Sequence, residues 1–302
     1  MSEIKITDSL LLEELEKRFK EKGKAINELQ SLTDELKVVN EKLAKSEQLK
    51  SNFIANINNE IINPFASVLG LSRSILDIKE NDWDRVMYMA KLIFVEAHNL
   101  DFQLKNIFSA AEIEAGSVHI QVSNVDVVQV IKGVVEEFSN DLKSKSLQIV
   151  FNDETTVDDD KVFTFKTDAE KFKLIVSNLL SNAIKFSKGA DIVINVKTIE
   201  DKLQVSVRDF GIGISKHNKE LIFDRFTRLD TGINSVNRGH GLGLSVIKAF
   251  IELFEGHINF ESELGKGSLF TVTIPEPDKN LDIDGFSSEG NEIFFGDDDG
   301  IF

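Results

Sequence analysis

Three groups of side chains in this chain have types and spacings suited to chemistry. The first is Asp209-Phe-Gly-Ile-Gly-Ile, where a strand-like run ends in a carboxylate followed at once by Gly211 and Gly213. Glycine lets the backbone approach a flat or phosphorylated ligand closely, and a carboxylate accepts a hydrogen bond from an exocyclic amine. The same letters alone also describe a tight turn at a strand end. The second group, Gly239-His-Gly-Leu-Gly-Leu, carries Gly239, Gly241 and Gly243 at the opening of a helical stretch. There, free N–H groups and the positive end of the helix dipole suit an anion. It lacks the Gly-Lys-Ser/Thr ending of a phosphate-binding loop and does not follow a first strand, as a dinucleotide fingerprint must. The third is the helical segment SNLLSNAIKFS, in which Asn178, Asn182 and Lys185 stand at i, i+4 and i+7 and so share one face. That face is either turned to a ligand or is the solvated stripe of an amphipathic helix.

These groups need elements to hold them. From Leu10 to Ile57 helix formers dominate without a proline, and Ile26, Leu29, Leu36, Leu43, Ile54 and Ile57 recur at heptad spacing, a coiled-coil pattern. Thr33, Asn40 and Glu47 on the alternate seam positions, with Gly23 upstream, make it a modest zipper, with a monomeric amphipathic helix as the other reading. The helical pattern runs on through Pro64, which marks a bend, to Leu76, breaks over Asp77–Asp82 and resumes from Trp83 to Glu114. Ile93, Ala97, Leu100, Leu104, Ile107 and Ala111 form an apolar stripe on the second helix, as a bundle requires. The periodicity then changes. VHIQV (118–122) reads as a strand, Asp126–Lys143 as one helix, LQIVF and VFTFK as strands and Asp168–Ser187 as a helix. ADIVINV and KLQVSVRD follow as strands, Leu242–Phe254 as a helix, and HINFES with SLFTVTI as a hairpin.

Composition limits the function classes. A chain of 302 residues with 41% hydrophobic and 28% charged residues has room for two globular units and a real core. No apolar run reaches the ~18–20 residues of a membrane span, and the start lacks a basic region followed by an apolar one, so a cytoplasmic chain is expected. The absence of cysteine excludes disulfides, thiolate metal sites and thiol nucleophiles. A formal net charge of −16 argues against nucleic acid as a partner. Nine acidic residues against Lys279 alone make 276–302 read as an acidic, solvated and disordered tail.

In this order and spacing the three groups resemble the ATP-binding domain shared by sensor histidine kinases, gyrase, Hsp90 and MutL. The segment FIANINNEIINPFASVLGLSRSIL is similar to the dimerisation and phosphoacceptor hairpin of histidine kinases, the only one of these families to pair the two. The resemblance implies an α+β multidomain chain. Residues 1–51 would be a coiled coil, 52–116 a helical hairpin building a dimeric four-helix bundle, 117–275 an α/β-sandwich ATP-binding domain of the Bergerat type, and 276–302 the tail. It also implies ATP and Mg2+ as cofactors, with Asn182 the metal ligand, Asn178 its neighbour and Lys185 a phosphate contact. Asp209 would accept from the adenine amine, Gly211 and Gly213 would shape the base pocket, and ahead of a lid over 231–238 Phe223 and Phe226 would be packing residues and Arg228 a phosphate contact. Gly239, Gly241 and Gly243 would hinge it.

The phosphoacceptor segment departs from the family. Where the family reads Ser-His-Glu-Ile-Arg-Thr/Asn-Pro, this chain reads Asn58-Asn59-Glu60-Ile61-Ile62-Asn63-Pro64, with Asn59 in place of the nucleophilic histidine. A carboxamide nitrogen is delocalised into its carbonyl and is a very poor nucleophile, so self-phosphorylation there is expected to fail. Asn58 and Ile62 also depart, which favours natural loss and a regulatory pseudokinase over a laboratory His→Asn substitution in an active kinase. Glu60 and Asn63 keep the Glu-x-x-Asn pattern that the family links to dephosphorylating a partner's aspartate. The expected partners are a second copy of the chain and a response-regulator receiver domain or another histidine kinase. The remaining reading is a coiled-coil scaffold with a vestigial nucleotide site. His98 is the one histidine on the hairpin, and a structural role is expected for it.

Overall fold

The computed structural model describes residues 8–78, 82–155, 163–225 and 241–277, and the acidic tail lies outside them from 278 onward. Helix α1 runs Asp8–Leu76 with Pro64 inside it, and α2 runs Trp83–Glu114, its start capped by the Asp82 carboxylate accepting from Arg85 N at 3.3 Å. The chain divides into two compact units at Ala55/Asn56. In the first, Ile26, Leu29, Leu36 and Leu43 are exposed along α1, and the Thr33 hydroxyl donates back to Leu29 O at 2.7 Å.

The second unit adds an α/β layer. Strand β1 (Ser123–Val125) is followed by α3 (Val127–Glu137), α4 (Ser139–Ser144), β2 (Ile149–Glu154), β3 (Phe165–Thr167) and α5 (Ala169–Phe186). Strands β4 (Ile192–Ile199) and β5 (Lys202–Asp209), a short 3-10 turn at Lys216–Asn218, α6 (Gly243–Leu253), β6 (His257–Glu263) and β7 (Gly267–Pro275) complete it. The main sheet has the order β2-β4-β5-β7-β6, antiparallel except for the parallel β2–β4 pair, and β1 pairs with β3 apart from it. Alternation sets the core: Ile192, Ile194 and Val196, then Leu203, Val205 and Val207, then Phe270, Val272 and Ile274 are buried. The buried faces of the helices supply Phe172, Ile175 and Leu179 from α5 and Val246, Phe250 and Ile251 from α6.

Two sequence expectations are corrected. Residues 118–122 form no strand: the Gln121 N–H is taken at 2.9 Å by the Asp168 carboxylate, and pairing begins only at Ser123. The helix expected over Asp126–Lys143 is two helices, broken at Phe138 (φ −86°, ψ 8°), whose buried ring meets Phe102 of α2 edge-on at 5.8 Å. VFTFK (162–166) contributes only Phe165 and Lys166 to β3, with Phe163 and Thr164 ahead of the strand and Val162 outside the described residues.

Asp168 explains why α5 starts where it does. One carboxylate oxygen accepts from Glu170 N and Lys171 N, each at 3.0 Å, and the other from Gln121 N and Lys171 Nζ, each at 2.9 Å. Burial alone would raise its pKa. The hydrogen bonds from Gln121 and Lys171, with the ammonium charge, outweigh burial and hold it below the usual carboxylate range. Because the folded-state pKa is depressed, this stabilisation is fully present above the unfolded value of about 3.9 and is lost as pH falls through the folded one. Asp168→Asn keeps one acceptor and turns an NH2 group toward two donors. It is expected to cost about 1.5–3 kcal/mol at pH 7 and to flatten the acid limb of the stability curve, both measurable by urea unfolding across pH.

Candidate functional site

Helix α5 carries the asparagine face and is held at both ends. Opposite the Asp168 cap, the Lys145 ammonium donates to Ile184 O at 2.8 Å and Lys185 O at 3.1 Å, meeting the terminal carbonyls and the negative end of the helix dipole. Asn178, Asn182 and Lys185 all lie on this helix, Asn178 buried and the other two half-buried. Asn178 Nδ2 donates to Asn106 Oδ1 on α2 at 2.7 Å and to Leu174 O at 3.0 Å. The positive charge of Lys185 bears on Asp141 of α4, whose carboxyl is pushed up by burial against the opposing charges of His98, Lys145 and Lys185.

Asp209 ends β5 beside Ser268 of β7 and is 5% exposed. Burial pushes its carboxyl up. The N–H of Gly211, donating at 2.9 Å, the N–H and hydroxyl of Ser268 and the charge of Arg208 pull the other way without cancelling it. Among the described residues no basic side chain pairs with it.

The glycines after Asp209 have a reason of their own. A Cβ on Gly211 would strike Phe186 O, the carbonyl at the end of α5 that accepts from Ile212 N at 3.2 Å. One on Gly213 (φ 64°) would strike Glu263 O, and one on Gly267 (φ 89°) would strike Asp209 O. The loop after Asp209 is thus clamped against α5 on one side and the β6–β7 turn on the other, where Gly265 N donates to Ile212 O at 2.7 Å. Gly211 and Gly213 serve as backbone clamps that fix Asp209.

Gly243 begins α6, which has no side-chain cap at its start. A Cβ there would lie 2.6 Å from Asn178 Oδ1, so the start of α6 lies close against the asparagine face. Gly241 (φ 70°) is described and half-buried, whereas Phe226, Arg228, the expected lid 231–238 and Gly239 lie outside the described residues. Phe223 packs edge-on against Phe260 of β6 at 5.6 Å, as a packing residue should. On α1, Asn59 and Glu60 are helical but their side chains lie outside the described residues, and Asn63 is exposed next to buried Pro64.

The donor set suits a nucleotide with its metal. Asp209 is a desolvated acceptor, and Asn178 and Asn182 offer neutral amide oxygens of the hard type that magnesium takes. Among the described residues no three His, Cys, Asp or Glu could hold a metal, so a metal here would depend on amide oxygens and on oxygens of the ligand itself. Sequence reasoning missed Asn106, Lys145 and Gly267. Asn106 stands on the helical hairpin far from any motif, and only its polar type beside an apolar stripe hinted at a partner.

Comparison with known proteins places the chain in a family. Residues 167–278 match the family model described as histidine kinase-, DNA gyrase B- and HSP90-like ATPase. The chain is 31% identical over 229 residues to the circadian input-output histidine kinase CikA of Synechococcus elongatus, covering 75% of this chain and 30% of that protein. It is 28% identical over 235 residues to the sensor protein RprX of Bacteroides fragilis, covering 76% of this chain and 44% of that one. The chain therefore spans less than half the length of these relatives. Among solved structures, full-length ShkA in complex with AMPPNP shares the fold with a TM-score of 0.53 at 23% identity, over 76% of this chain and 45% of that one. Residues 167–278 thus belong to the histidine kinase-, DNA gyrase B- and HSP90-like ATPases, and the chain that carries them is a relative of the sensor histidine kinases.

Proposed function

We propose that this chain binds magnesium ATP and regulates two-component signalling without phosphorylating itself at Asn59. The observation that carries the reading is Asp209. A buried carboxylate whose pKa stays raised despite the charge of Arg208, and which among the described residues makes no salt bridge, is a cost in the free protein, and an adenine amine donating to it would offset that cost. Asp209 would orient the base, Gly211 and Gly213 would hold that carboxylate in place, and Asn182, with Asn178 beside it, would take the metal. Bound magnesium would supply neutralisation of the triphosphate charge. Lys185, Arg228 and the glycines 239, 241 and 243 are the proposed phosphate side of the site, with closure over the ligand biasing the hairpin through unequal affinity for two states.

The residue at position 59 separates a regulator from a self-phosphorylating kinase. An imidazole can attack a γ-phosphoryl group and carry it, whereas the Asn59 carboxamide cannot. We read the partner as a receiver domain or another kinase, and the exposed Ile26, Leu29, Leu36 and Leu43 support dimerisation through α1. Sedimentation is expected to give a dimer at micromolar concentration, and a monomer there would remove that part of the reading. A second activity is supported by the exposure of Asn63: with Glu60 it would set water against a receiver's aspartyl phosphate.

Two further outcomes are expected. Label from γ-labelled ATP with Mg2+ should not transfer to the chain, and should transfer to the Asn59→His variant if position 59 is the sole lesion. Asp209→Asn should weaken ATP binding in calorimetry by about 10–100-fold, the worth of a charge-assisted hydrogen bond. Because its folded-state pKa is raised, the contribution of Asp209 to the stability of the ligand-free protein falls as pH rises from the unfolded value of about 3.9 through the folded one, and this fall should vanish in the variant.

A further inference from the structure

Three side chains on α2, each four residues from the next, lie on one stripe and face the α/β layer. His98 Nε2 stands 3.9 Å from Glu137 Oε2 of α3, the Phe102 ring meets Phe138 edge-on, and Asn106 meets Asn178 of α5. The first two contacts are a half-exposed imidazole–carboxylate contact and an aromatic pair, and neither touches the asparagine face. The third differs in kind. Asn106 is 5% exposed and Asn178 4%, and their amides are matched: Asn106 Nδ2 donates to Phe102 O at 3.0 Å while its Oδ1 accepts from Asn178 Nδ2. The second amide hydrogen of Asn178 goes to Leu174 O. With both hydrogens spent on that side, Asn178 Oδ1 is left as the acceptor, on the side where Gly243 opens α6.

We propose that Asn106 of the hairpin is a positioning residue for the nucleotide site. By accepting from Asn178 it holds that carboxamide with its oxygen toward α6, so that affinity for magnesium ATP depends on α2 being docked. The proposal rests on the reading of this site as one for magnesium ATP. Two donated bonds polarise the Asn178 amide and strengthen its oxygen as an acceptor. Without the Asn106 oxygen, a buried N–H loses its partner and the carboxamide is free to rotate away. Because coupling between two equilibria is reciprocal, bound nucleotide must favour docking of α2 by the same factor.

The test uses the full chain, ATP with and without Mg2+, and the variants Asn106→Leu and Asn106→Asp. Leu removes the acceptor at similar volume, and Asp restores an oxygen facing Asn178. In calorimetry Asn106→Leu should weaken ATP binding about fivefold to tenfold in the presence of Mg2+ and less than twofold without it, with Asn106→Asp recovering most of the loss. In the unaltered chain, ATP with Mg2+ should slow amide hydrogen exchange over residues 102–110, which reads the same coupling if a variant folds poorly. Equal losses with and without Mg2+, no recovery by Asp, or unchanged exchange in α2 would overturn the proposal while leaving the nucleotide reading intact. Failure of the unaltered chain to bind ATP at millimolar concentration would overturn both.

Discussion

The Asp168 carboxylate and the Lys145 ammonium hold the two ends of one helix, and most of the site depends on that restraint. A helix leaves four N–H groups unpaired at its start and four carbonyls at its end, and burial makes those groups costly. In α5 the first set meets a carboxylate that also collects Gln121 N, and the second meets an ammonium delivered from the end of α4. The helix therefore cannot fray, or slide along its axis, without losing charge-assisted bonds at both ends. Asn178 and Asn182 inherit this fixed register, and through Phe186 O so does the loop after Asp209.

The two motifs flanking α5 come from separate stretches of the domain sequence, yet each is placed by close contact. The Asp209 loop is wedged between Phe186 O and the β6–β7 turn, and the start of α6 is brought against Asn178. Strand β5, central in the sheet between β4 and β7, provides the rigid platform from which the carboxylate projects. A loop alone would not hold a desolvated carboxylate in one position. Here Ser268, from the neighbouring strand, shares the task with the Gly211 N–H.

Much of this was legible in the sequence. The order of strands and helices from β2 onward, the carboxylate at a strand end and the asparagine face could be read because they depend on short-range periodicity and on glycine's special backbone. Residues 118–122 misled because their alternating pattern is that of a strand, whereas the Gln121 N–H bonds to a residue 47 positions away. The break at Phe138 was hidden for a similar reason: its helix-compatible letters say nothing of an aromatic partner on α2. Asn106 and Lys145 act across 72 and 39 positions, and no local spacing encodes such pairings.

The glycine contacts also alter how decay of this domain would be recognised. Gly211, Gly213 and Gly267 are hemmed in by main-chain carbonyls, so a chain that had given up nucleotides altogether would still be obliged to keep them in order to fold. Their survival measures the integrity of the scaffold. Gly243 faces a side chain instead, and Asn182 is half-buried on a helix that would pack without its amide. In a lineage relieved of ligand binding Asn182 would be freer to change than any of these glycines, so a substitution there would mark loss of the ligand well before loss of the fold.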